Sequence, residues 1–161
     1  LKREDVKNIL LYYKSIPEMI KLEKQEQERL EDEYYNALRR PGTGSGSHGS
    51  AVGRPTESLA IRAAEHGASG AVKNAKIRII NLEMDRKLIG DCISTLNDKY
   101  RKIILWKVIR GDSWTRIAVC TSTPESTLRY WYDQALERLG EALEEDVTMV
   151  DELIGRASRA R

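Results

Sequence analysis

Phenylalanine is absent from this 161-residue chain, and tyrosine and tryptophan together supply only ten aromatics. With so few, their positions carry weight: all three tryptophans, Trp106, Trp114 and Trp131, fall between residues 97 and 139, so the core is expected to concentrate there. There are only two cysteines, Cys92 and Cys120, and they lack the CxxC spacing of a zinc site. His48 and His66, the only histidines, sit among small and polar residues, so no metal is expected. Both cysteines read as small buried hydrophobes in a reducing compartment. No apolar run approaches the ~18 residues of a membrane span, which excludes a membrane partner. No signal-peptide pattern is visible, so a cytoplasmic location is expected. The first residue is Leu1 and not methionine, so the native start is expected upstream or trimmed. No carboxylate pair, His–Ser or His–Cys arrangement stands out, so neither an enzyme nor a cofactor is expected. The formal charge of +2 gives no strong bulk attraction to nucleic acid.

What is present is a charged, globular composition, 40% hydrophobic and 32% charged, sized for one domain or a small domain with a helical extension. The most informative stretch is 97–139. Asn97 or Asp98 can cap a helix whose apolar face is Ile103, Ile104, Trp106, Val108 and Ile109. Gly111 follows, where a left-handed cap needs no Cβ. Ser113 can cap a short helix from Trp114 to about Cys120, with Trp114, Ile117 and Ala118 inward. After the turn at Thr121-Ser122, Thr123 can cap a third helix with Pro124 in its first turn. Leu128, Trp131, Ala135, Leu136 and Leu139 mark its buried stripe.

A short helix, a tight turn and a longer helix form a helix-turn-helix, whose second helix can enter a major groove. Glu125, Ser126, Thr127, Arg129 and Tyr130 lie near its N-terminal end and off the buried stripe. Arginine can donate twice to guanine, and serine or threonine can bond bases or phosphates. Arg101, Lys102, Lys107, Arg110 and Arg116 can neutralise phosphates. Eight basic against five acidic residues between 97 and 139 permit binding to double-stranded DNA without demanding it.

Leu96-Asn97-Asp98-Lys99-Tyr100, Gly111-Asp112-Ser113-Trp114-Thr115-Arg116-Ile117-Ala118 and Ala135-Leu136-Glu137-Arg138-Leu139 together resemble region 4 of the sigma-70 family. That resemblance implies a module that reads a promoter element and touches RNA polymerase. The chain departs from the family at the turn, where Thr121-Ser122-Thr123 replaces Leu-Gly-Val, and at Asp133, where a basic residue is common. Ser122 would be strained if that position is left-handed.

Before this module, residues 1–40 carry a helical stripe of Val6, Ile9, Tyr13, Ile16 and Ile20, resumed by Leu30, Tyr34, Ala37 and Leu38. Glu23 and Gln27 occupy positions on it that should be apolar. Ser15-Ile16-Pro17-Glu18 resembles a capping box, which predicts a break or kink near Ser15. The segment holds nine acidic and nine basic residues, which suits a coiled-coil partner, in cis or as a dimer, with pairs such as Lys24–Glu28. Residues 41–55 read as a Gly/Ser-rich linker, with no lysine-serine pair to make a phosphate loop. A helix is expected from about Glu57, interrupted at Gly67-Ala68-Ser69-Gly70. A stronger one is expected from Ala71 to Leu96, lined by Ile77, Ile80, Met84, Leu88, Cys92 and Thr95 or Leu96. It can pack antiparallel to the first. Beyond Leu139 the helix is expected to continue along Leu143, Val147, Val150 and Ile154, acidic and turned away from DNA, before a basic tail.

The expected class is therefore all-α. A long helical hairpin or coiled-coil arm (1–40, linker 41–55, and 56–96) precedes a helix-turn-helix domain (97–139) and an acidic C-terminal helix (140–161). This order is similar to that of the RinA/ArpU-type phage transcriptional regulators. The resemblance implies a late-gene activator in a bacterial host's cytoplasm, acting with RNA polymerase. Ser126, Thr127, Arg129 and Tyr130 would then face bases, and Arg101, Lys102, Ser113 and Arg116 would hold phosphates. A homo-oligomer, with a dimer favoured, would give two readout helices. A small terminase-like packaging subunit and a helical interaction protein without DNA binding remain alternatives.

Overall fold

The computed structural model describes residues 1–39, 55–146 and 150–160, and among these every regular element is helical. The elements are α1 (Arg3–Arg39), α2 (Pro55–Thr95), α3 (Asp98–Ile104), a π-helical turn (Leu105–Ile109), α4 (Trp114–Thr121), α5 (Glu125–Asp146) and α6 (Val150–Arg159). Of the linker expected at 41–55, residues 41–54 lie outside the described residues and Pro55 opens α2; Val147 and the side chain of His66 also lie outside them.

Two expected interruptions do not occur. α1 runs unbroken through Pro17, and the Ser15 hydroxyl donates back to the Tyr12 carbonyl (2.8 Å) instead of starting a new helix. A proline inside a helix removes one backbone hydrogen bond. Burial of Ile9, Leu10, Tyr12, Ile16 and Ile20 on either side outweighs that loss. α2 likewise continues across Gly67 and Gly70, whose flexibility makes a helix less stable without forbidding it.

The chain forms two compact units, residues 18–81 and residues 1–17 with 82–161. In the first, α1 and α2 run antiparallel. Ile20, Ala75 and Ile79 are buried, and Glu23 and Glu31 pair with Arg78 (2.9 Å) and Lys76 (3.3 Å). The polar interruptions of the α1 stripe thus make an ion pair to α2 at Glu23 and a hydrogen bond along α1 at Gln27, which donates to Glu31 (2.9 Å). Arg29 reaches both Glu26 and Glu33 on its own helix. Exposed pairs of this kind contribute little to stability.

The second unit buries Val6, Ile9, Leu10 and Ile16 of α1, and Leu82, Ile89, Cys92 and Leu96 at the end of α2. Further core comes from α3, α5 and α6, including Ile103, Ile104, Leu136, Leu139, Leu143 and Leu153. Each fully buried Leu or Ile is worth about 1.5–3 kcal/mol. α1 and α5 meet closely at Gly140, where a Cβ would stand 3.2 Å from Val6 Cγ2.

The buried face of α2 differs from the expected one between Ile77 and Met84 and matches it at Cys92 and at Leu96 just beyond the helix. Ile77, Ile80 and Met84 are exposed, and the inward residues are Ala75, Ile79, Leu82, Asp85, Ile89 and Cys92. The reason is Asp85, a buried carboxylate that an apolar pattern discards. Arg156 of α6 grips it from Nε (2.8 Å) and Nη2 (2.9 Å), and the Tyr12 hydroxyl of α1 donates to it (2.7 Å). The C-terminal register differs correspondingly: Leu153 and Ala157 are buried and Ile154 only half-buried. Cys120, expected inside, is exposed on α4, whereas Cys92 is buried and its thiol approaches the Ala142 carbonyl.

Removing one partner of a buried ionic group leaves the others uncompensated. Asp85→Ala is expected to cost about 3 kcal/mol in urea unfolding, and Tyr12→Phe about 1.5 kcal/mol. Burial first, and then the hydrogen bond to Asp85, push the Tyr12 hydroxyl well above its ordinary range. A raised pKa stabilises the fold fully below the unfolded value of about 10 and loses that contribution as pH climbs toward the folded value. The stability gap between wild type and Tyr12→Phe should therefore be constant near neutrality and narrow above pH ~10.

Candidate nucleic-acid interface

Residues 97–139 begin where expected. The Asn97 carboxamide oxygen accepts from the Lys99 N–H (3.3 Å), capping α3, and Tyr100, Ile103 and Ile104 are buried behind it. The helix widens into the π turn, with the Arg110 N–H donating to the Leu105 carbonyl and the Asp112 N–H to the Trp106 carbonyl, both 2.9 Å. Gly111 then takes φ +74°, the left-handed region that glycine enters without a Cβ clash. The Ser113 hydroxyl accepts from the Arg116 N–H (3.2 Å) and caps α4. Ile117 is buried, and Trp114 and Ala118 are half-buried.

α4 ends on Ser122 at φ 51°, ψ 36°. The Thr123 N–H then reaches back to the Ala118 carbonyl (3.2 Å), the six-to-one bond of a Schellman turn. The strain expected for a serine here is therefore present. The Thr123 hydroxyl donates to the Thr121 carbonyl (3.1 Å), so its proton serves the turn. The first bond of α5 runs from the Leu128 N–H to the Pro124 carbonyl (3.1 Å). Leu128, Ala135, Leu136 and Leu139 anchor α5 from behind, while Trp131 is only half-buried, with Lys99 Nζ 5.5 Å from its ring centre.

The candidate residues fall into two groups. Glu125, Ser126, Thr127, Arg129 and Tyr130 occupy the first two turns of α5; Ser126, Arg129 and Tyr130 are exposed, and Glu125 and Thr127 half-buried. The second group is basic and engaged internally. Arg101 donates to the Leu96 carbonyl (3.2 Å), and Lys102 pairs with Asp98 (2.8 Å). Arg110 and Arg116 share Asp112, at 3.2 and 3.6 Å. Lys102 and Asp98 are both exposed and their pair is weak, so a phosphate can displace it, whereas the Asp112 carboxylate shared by Arg110 and Arg116 is only 12% exposed. Asp133, where a basic residue is common in the sigma-70 region 4 pattern, pairs with Arg3 of α1.

One cluster was not legible from spacing. The Thr115 hydroxyl donates to Glu125 Oε1 (2.8 Å), and Arg129 donates to Glu125 Oε2 (3.3 Å). The Trp114 ring lies beneath Arg129 and Lys107 and meets Tyr132 edge-on. The Glu125–Arg129 step of four residues is visible in the sequence; the contacts to α4 are tertiary. The Thr115 hydrogen bond, and then Arg129, hold the Glu125 carboxyl below the usual carboxylate range. A depressed pKa keeps these bonds intact as pH falls through that range, and they are lost only below it.

Among the described residues, no group of His, Cys, Asp or Glu is placed to hold a metal, and no helix is long and apolar enough to cross a membrane. The chain matches no protein-family model, no curated protein and no solved structure at a significant level.

The two left-handed positions give opposite predictions. Ser122→Gly relieves the turn and is expected to raise stability by about 1 kcal/mol, whereas Gly111→Ala is expected to lower it by about 1 kcal/mol. Paired thermal and urea unfolding of the two variants checks both signs.

Proposed function

We propose that the chain is a sequence-specific, double-stranded-DNA-binding transcriptional regulator without catalytic activity. The observation that carries this reading is the exposed polar flank Ser126, Arg129 and Tyr130 on the first turns of α5, with Leu128 buried behind it and α4 crossing at a tight turn. A helix presented this way fits a major groove, where arginine pairs with guanine and serine with base edges or phosphates. Arg101, Lys102, Ser113 and Arg116 are the groups proposed to hold phosphates, after exchanging their internal partners. The resemblance to sigma-70 region 4 and to RinA/ArpU-type regulators makes RNA polymerase the proposed partner and phage late genes the proposed target. Two copies would present two such helices to a palindromic or repeated site.

The internal pairing of Lys102, Arg110, Arg116 and Arg129 favours one competing reading, an interaction protein that has kept the module without DNA binding. The two readings separate on salt. Each phosphate contact lowers the slope of log K against log salt by about 0.9.

Selection from a random duplex library should enrich one sequence family, and Arg129→Ala should lose about 10- to 100-fold of the affinity for it. In a promoter-reporter assay the same variant should lose activation. Arg116→Ala should weaken all duplexes alike and reduce the salt slope by about one. Enrichment of no duplex at low salt would establish the interaction-protein reading instead. A ring assembly in light scattering, bound to a packaging site, would establish the terminase-like one.

A further inference from the structure

Trp114 opens α4 half-buried, and its exposed face is covered by charge. The Arg129 guanidinium carbon lies 5.3 Å from the ring centroid and Lys107 Nζ 4.9 Å, while Tyr132 packs edge-on at 5.6 Å with an interplanar angle of 72°. Lys107 is itself tethered, donating to the Asp112 carbonyl (3.1 Å). Glu125 closes the arrangement. One of its oxygens accepts from Thr115, on the first turn of α4, and the other from Arg129. The first turns of the two helices are thereby joined through one carboxylate, and the arginine lies between that carboxylate and the ring.

This matters because an exposed arginine has many rotamers, and ordering them opposes binding. Here the ring and the carboxylate restrict the side chain before any ligand arrives. The restriction leaves the donors usable. Glu125 takes one N–H from Nη2 of the five that a guanidinium carries, so Nη1 and Nη2 each keep an N–H for a two-point contact with guanine O6 and N7. Glu125 in turn accepts one hydrogen bond on each oxygen, from Thr115 and from Arg129.

We propose that Trp114 and Glu125 are positioning residues that hold the Arg129 guanidinium ready for a guanine in the major groove, so that base discrimination at one position depends on a tryptophan that contacts no base. The inference rests on the DNA-binding reading above and adds to it a division of labour: Arg129 reads, Trp114 and Glu125 aim.

The test uses the full chain and a duplex enriched by the wild type from a random library, together with versions in which each guanine is replaced by adenine. Trp114→Leu and Glu125→Gln should each reduce discrimination at one guanine by about ten-fold while leaving the salt slope unchanged. Trp114→Phe, which keeps a ring, should retain most of the discrimination. In the free protein the Arg129 δ-methylene protons should be shifted upfield by the indole ring current and move toward ordinary positions in Trp114→Leu. Circular dichroism checks each variant's fold; should Trp114→Leu fail to fold, Trp114→Phe and Glu125→Gln carry the comparison. Full discrimination in the folded variants overturns the positioning role and leaves DNA binding intact. An equal loss on every duplex marks a structural role and also overturns it. A wild type that enriches no duplex overturns the DNA-binding reading itself, and the positioning role with it.

Discussion

The second unit depends on one carboxylate. Asp85 sits inside, where an unpaired charge costs several kcal/mol, about the stability margin of a small domain. It is tolerable only because Tyr12 and Arg156 come from α1 and α6 to meet it. The consequence is register more than raw stability. Turning α2 to bury Ile77, Ile80 and Met84 would expose Ile79, Leu82 and Ile89 and strip the carboxylate of both partners. Burial opposes the charge on Arg156, and the hydrogen bond and charge of Asp85 outweigh it, so the guanidinium holds its proton more tightly than usual. α6 is attached through this pair and through burial of Leu153 and Ala157.

The helix-turn-helix is organised by backbone and not by charge. Two left-handed residues, Gly111 and Ser122, redirect the chain on either side of α4. At the first, the residue type suits the conformation. At the second it does not, and the Schellman bond from Thr123 together with burial of Ile117 and Leu128 holds the serine in place. The left-handed turn at Ser122 and the bonds joining Thr115, Glu125 and Arg129 both link α4 to α5.

Several sequence readings survive because they depend on neighbours only a few residues away. Asn97 and Ser113 cap the helices they precede, and Gly111 takes the positive φ expected of a residue ending a helix. Leu128, Ala135, Leu136, Leu139 and Leu143 of the predicted stripe are buried, and Trp131 only half-buried, since an apolar run at helical spacing has few ways to leave water. The failures share a cause too. Pro17 looks like a break because intrinsic propensity disfavours it in helices by about 3 kcal/mol, but burial of Ile9, Leu10, Tyr12, Ile16 and Ile20 on either side exceeds that. Cys120 looks internal by residue type, yet it falls on the outward side of α4.

What the sequence alone determined is the all-helical class, the Asn97 and Ser113 caps, the turn after α4 and most of the buried side of α5, because each follows from hydrogen bonds and periodicity within about one helical turn. Tertiary structure decided which side of α2 faces inward, where α6 attaches, and how Arg129 comes to lie between Trp114 and Glu125. Those outcomes depend on Asp85 finding Arg156 and Tyr12, and on α4 crossing α5. Contacts between residues distant in the chain leave no mark in local spacing, and a charge can be read as buried only once its partners are known.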